Sequence, residues 1–232
     1  MKRAKQGRKD RAPLKKPLNW LKPGCALLLL PCCWAGFFVL AKVLSATGPV
    51  DVVWVPLVAG VLCWTAVYAL LPEPLWIYVL GHEMTHALWA WLFGGRVKKI
   101  RVSSRGGHVV LTKTNFLITL APYFFPFYAV LAAAIFGAGD SLWGWQACRP
   151  VFLILMGAAY GFHVTMTWSI LRTRQPDLVS EGWFFSGVVI VLGNQLVLIL
   201  SIPLLTGGVP VFEPMLWWGS ETGNLWRWLL RM

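Results

Sequence analysis

Residues 75–93 read Leu75-Trp76-Ile77-Tyr78-Val79-Leu80-Gly81-His82-Glu83-Met84-Thr85-His86-Ala87-Leu88-Trp89-Ala90-Trp91-Leu92-Phe93. The run is apolar except for one cluster near its middle. A segment of this length and hydropathy reads as a helix able to span a membrane, where ionisable side chains are costly and usually functional. On a helix, residues four apart share a face, so His82 and His86 can grip a single ion. Zinc accepts imidazole nitrogen at about 2.0–2.1 Å and wants four ligands. Glu83 sits one position along from His82 and points to the flank of such a site without ligating.

The rest of the chain makes the same case for a membrane. Hydrophobic residues are 57% of its 232 residues and charged residues 13%. A soluble domain carries roughly 45–50% apolar and about 25% charged residues. This excludes an ordinary soluble domain, a disordered chain and the usual nucleic-acid module. Residues 24–44, 52–71, 116–138, 150–171 and 183–206 are further runs of spanning length. The expected fold is an all-α polytopic membrane protein of about six transmembrane helices. After the His-Glu cluster, residues 94–115 change character. Gly94-Gly95 stops the helix, and Val97, Ile100, Val102, Val109 and Val110 alternate loosely with basic residues around Gly106-Gly107. That pattern predicts a short β-hairpin turning at the glycines.

Three regions follow: a basic tail over residues 1–22, a membrane-embedded domain over 23–206 and a Trp-rich interfacial segment over 207–232. The tail holds Lys2, Arg3, Lys5, Arg8, Lys9, Arg11, Lys15, Lys16 and Lys22 against Asp10 alone. Beside a span, such a tail follows the positive-inside rule or touches anionic lipid. The hairpin is basic too, yet three apolar runs separate it from the tail. If all three cross, the two basic segments fall on opposite faces, so one run is re-entrant or one segment breaks the rule. The five cysteines form no CxxC spacing and read as small apolar packing residues.

A zinc site needs a third protein ligand. The candidates are Asp51, Glu73, His108, Asp140, His163, Asp177 and Glu181. Depth and side along the chain leave His163, inside the 150–171 run, and Asp177, just before the last span. Charge favours the aspartate: Asp177 and Glu83 together neutralise Zn²⁺, and a neutral cluster is far cheaper to desolvate than a dication. His163 then remains as a neighbouring donor. An ion held there acidifies water and polarises a carbonyl, while Glu83 takes the water's proton and hands it to a leaving amine. Peptide hydrolysis needs that division of labour.

The stretch from His82-Glu83-Met84-Thr85-His86 through Phe93-Gly94-Gly95-Arg96-Val97, the Gly106-Gly107 hairpin and the Leu120-Ala121-Pro122 step resembles the site-2 protease (M50) family of intramembrane zinc metallopeptidases, especially its smaller bacterial branch. The resemblance implies His82, His86 and Asp177 as Zn²⁺ ligands, Glu83 as catalytic base, and a transmembrane protein as substrate. It also implies a multi-pass location in the lipid bilayer, in a bacterial cytoplasmic membrane, with no nucleic-acid partner. The hairpin would pair with an unwound substrate by strand addition. Asp177 is followed by Leu178, where the family usually has glycine. The rival readings are a catalytically inactive scaffold or regulator of the same fold, and a transporter whose polar cluster lines a pathway.

Overall fold

The computed structural model describes residues 21–103 and 106–232. The basic tail lies outside the described residues except for Leu21 and Lys22. Nine α-helices are described: α1 (Leu21–Thr47), α2 (Asp51–Leu70), α3 (Leu75–Leu92), α4 (Phe116–Leu120), α5 (Phe127–Trp143), α6 (Arg149–Leu171), α7 (Pro176–Glu181), α8 (Trp183–Thr206) and α9 (Glu213–Leu229). An antiparallel hairpin of β1 (Val97–Ser103) and β2 (Gly106–Leu111) follows α3. The chain is thus an all-α polytopic membrane protein with one small sheet. Ser103 pairs with Gly106, so the two glycines open β2 instead of forming the turn.

Among the described residues, four segments are long and apolar enough to cross a membrane: Leu21–Thr47, Asp51–Leu70, Trp145–Leu171 and Trp183–Thr206. The expected single span over 116–138 is broken. Phe116–Tyr123 and Phe127–Trp143 meet at 84° and make a fifth span only if counted as one bent unit. The break is local chemistry. Pro126 has no N–H to continue a helix, and its ring disfavours helical backbone at Phe125. The outward faces of α1 and α2 carry exposed Leu28, Phe37, Phe38, Val55 and Leu62, as a lipid-facing surface does.

Helix pairing is set by small residues. A Cβ on Gly60 of α2 would collide with the Ile154 carbonyl oxygen, and one on Gly157 of α6 with that of Leu57. The two backbones therefore lie in direct contact, the arrangement that small residues permit between membrane helices. Trp64 Nε1 adds a 2.8 Å hydrogen bond to Thr165 Oγ1, and Ser169 donates to Glu73 at 2.9 Å. These contacts run in step along both helices, so α2 and α6 are parallel. The pair α1 and α8 is parallel as well. Lys22 forms an ion pair with Glu181 and lies over the Phe185 ring, Gln195 donates to the Cys33 carbonyl at 2.8 Å, and Val43 packs with Ile199. Helix α9 also packs along α1, with Trp218 Nε1 bonded to the Cys32 carbonyl at 2.8 Å.

The starts of α1 and α8 and the ends of α2 and α6 thus gather on one face, joined by α7. The α3 helix starts there, directly after Glu73. The chain is back there at Phe116, whose ring meets Phe185 at 5.3 Å. The segment from Leu75 through the hairpin to Phe116 therefore begins and ends on one face, and α3, with its polar cluster, is not among the four segments long and apolar enough to cross a membrane. Of the two alternatives left open by the basic segments, this path agrees with a re-entrant run. Lys22, the one basic residue of the tail that is described, lies on the same face as the hairpin: it pairs with Glu181 of α7, while Gly107 and His108 share a cavity with Asp177 of α7.

Candidate metal centre

His82 and His86 come from successive turns of α3, and Asp177 from the first turn of α7. The α7 helix starts at Pro176, where a missing N–H costs nothing. It ends at Gly182, whose φ of +92° only glycine adopts easily, and this sharp junction sets α7 against the start of α8. His82 Nε2 and His86 Nε2 are 3.2 Å apart, and Asp177 Oδ2 lies 3.4 Å from the first and 3.5 Å from the second. These are the edges of a nearly equilateral triangle. A tetrahedral ion with ligands at 2.0–2.1 Å requires ligand-to-ligand edges of about 3.3 Å. The donor set, two imidazoles and one carboxylate, suits zinc in an open site with a fourth position free for water or substrate.

The surroundings aim these atoms. His86 Nδ1 donates to the Ile118 carbonyl at 2.8 Å. A carbonyl can only accept, so His86 Nε2 keeps its lone pair turned into the triangle. Ile118 has this carbonyl to spare because the helical donor it would otherwise meet, four residues on, is Pro122, which has no N–H. Asn115 caps α4 by accepting from the Ile118 N–H at 2.9 Å and so fixes where that carbonyl points. Tyr123 donates its hydroxyl to Asp177 Oδ2 at 3.1 Å and stands edge-on to the His82 ring at 5.4 Å. Burial alone would raise the Asp177 carboxyl, but the two imidazoles outweigh it and hold the group well below the usual carboxylate range.

A cavity of about 690 Å³ opens beside the triangle, lined by Tyr78, Val79, Glu83 and Ile170 together with Gly107 and His108 of β2. Glu83 is buried, and Gly107 lies so close that a Cβ there would stand 2.5 Å from Glu83 Oε1. The hairpin thus forms one wall of the cavity.

The structure brings His82, His86 and Asp177 within bonding reach of one ion and places Glu83 at the rim. Of the other candidates, His108 lines the cavity from β2 without joining the triangle, and the rest lie apart. His163 is buried in α6 outside the triangle, Glu73 binds Ser169, Asp140 binds Gln146, Glu181 pairs with Lys22, and Asp51 begins α2. Sequence reasoning missed Tyr123. Its signal was a hydroxyl in an apolar stretch, which needs a partner when buried.

A family model described as Peptidase M50B-like matches residues 53–202, well over half of the chain, and its range holds every residue of the triangle. No curated protein and no solved structure matches the chain.

Proposed function

The chain belongs to the Peptidase M50B-like family, and from that premise we propose that it is an intramembrane zinc metalloendopeptidase that hydrolyses a peptide bond in or near a transmembrane segment of a substrate protein. The observation that carries this reading is the triangle of His82 Nε2, His86 Nε2 and Asp177 Oδ2, with edges of 3.2, 3.4 and 3.5 Å. Three electron-rich atoms so close repel one another unless a proton or a metal cation lies among them, and the near-equal edges suit a metal cation. Bound zinc would supply Lewis acidity and make water acidic enough to lose a proton near neutral pH. Glu83 takes that proton as the water oxygen bonds to the scissile carbonyl carbon. It returns the proton to the amide nitrogen as the C–N bond breaks.

The cavity wall explains how a helical substrate could react at all. A helix hides its peptide bonds, and lipid offers them no alternative partners. Strand β2 offers backbone groups beside Glu83, so an unwound substrate segment pairs there in extended form. With Lys22 and the basic hairpin on one face, we assign that face to the cytoplasmic side of a bacterial inner membrane.

Purified wild-type protein should cleave a reporter transmembrane segment, and Glu83→Gln should abolish cleavage while keeping its zinc. Undiminished cleavage by Glu83→Gln would remove the assigned base. A wild-type protein that holds zinc and cleaves no membrane reporter would be a scaffold of this fold.

A further inference from the structure

Two of the three proposed ligands have protein partners behind them: Ile118 for His86 and Tyr123 for Asp177. His82 is the exception. If Nε2 faces the ion, the neutral ring must carry its hydrogen on Nδ1, which is buried and has no partner among the described residues. Behind His82 lies a second cavity of about 20 Å³, lined by His82, His163, Thr85, Tyr128 and Phe162 among others. His163 is 7% exposed, and its Nε2 is likewise buried without a partner. The buried hydroxyls of Tyr78 and Thr167 also have no partner among the described residues.

A water needs roughly 10–15 Å³ and two to four polar partners. This cavity meets both conditions. We infer that His163 is a positioning residue for His82, acting through one buried water that accepts from His82 Nδ1 and donates to His163 Nε2. The water's second hydrogen can reach a hydroxyl oxygen of Thr85 or Tyr128. Each already donates to a carbonyl, Thr85 to Gly81 at 2.8 Å and Tyr128 to Ile77 at 2.6 Å, and keeps lone pairs to accept with. The inference rests on the reading of His82 as a metal ligand. It makes the ligand set fully supported from behind, the arrangement that fixes tautomer and ring orientation in metal sites.

The test is the zinc dissociation constant of the full-length protein in detergent, read by chelator competition, together with the melting temperature of the metal-free form. His163→Leu keeps the volume and removes the acceptor. It should weaken zinc about 10- to 100-fold without lowering the metal-free melting temperature. His163→Gln, whose amide can still meet the water, should recover most of that loss. Wild-type affinity in His163→Leu overturns the inference and leaves the metal reading intact. Equal losses in Leu and Gln also overturn it, since packing would then explain both. Should the Leu variant not accumulate, His163→Asn, too short to reach the water, replaces it against Gln with the same outcomes. A wild-type protein that binds no zinc removes the metal reading and this inference together.

Discussion

His86 Nδ1 donates to the carbonyl of Ile118 at 2.8 Å, and that carbonyl is available because residue 122 is a proline. A break in one helix thereby orients a side chain on another. Pro122→Ala would restore an N–H that competes for the same carbonyl. Zinc affinity should fall several-fold to about tenfold, within the usual range for a lost supporting contact. Chelator competition on the purified variant checks this, and an unchanged affinity would show that the proline has no part in aiming His86.

The hairpin sets the position of Glu83. A Cβ on Gly107 would stand 2.5 Å from Glu83 Oε1 and 2.6 Å from its Cγ. Gly107→Ala should push the carboxylate aside and reduce kcat/KM by about 10- to 100-fold, the scale of a misplacement near 1 Å. Zinc content should not change, because the atoms nearest to a Cβ on Gly107 belong to Glu83 and Val79, not to the triangle. Cleavage kinetics beside metal analysis separates this from a loss of the ion.

Asp177 and Tyr123 should differ in degree. Asp177→Asn removes a negative charge from the triangle and should leave the purified protein largely free of zinc. Tyr123→Phe removes only the 3.1 Å hydrogen bond to Oδ2 and should weaken zinc about tenfold. Titrating both variants with zinc ranks them, and a Tyr123→Phe protein as poor as Asp177→Asn would make the hydroxyl itself a ligand.

Stability rests elsewhere, on the contact of α2 with α6. Gly60→Val would drive a branched side chain into the Ile154 backbone, which cannot yield as a side-chain tip can. Overpacking of this kind costs about 1–3 kcal/mol. Thermal unfolding in detergent should show a lower midpoint, and an unaltered midpoint would mean that the two helices separate freely.

Much of this architecture is legible in residue order, for identifiable reasons. The four-residue spacing of His82 and His86 specifies a shared helix face, and the alternation after Gly94-Gly95 specifies the hairpin. The path of α3 is not legible. Run length measures hydropathy, and only contacts such as Phe116 with Phe185 reveal that the chain returns to the same face. The break at Pro126 is visible as a residue, whereas its 84° consequence depends on the packing around it. Asp177 is chosen by charge because no local pattern links it to α3. Tyr123 and Gly107 act through tertiary approach, Tyr123 to Asp177 of another helix and Gly107 to Glu83 of α3, and a linear pattern holds no record of either.

The central claim is that one zinc ion lies among His82, His86 and Asp177. Zinc-edge X-ray absorption on the purified protein, with metal stoichiometry, tests it most directly. One zinc per chain is expected, with two imidazoles and oxygen ligands at about 2.0–2.1 Å, and with the imidazole signal halved and occupancy reduced in His86→Ala. Substoichiometric zinc in the wild type, a sulfur shell, or a spectrum indifferent to His86→Ala would contradict the account.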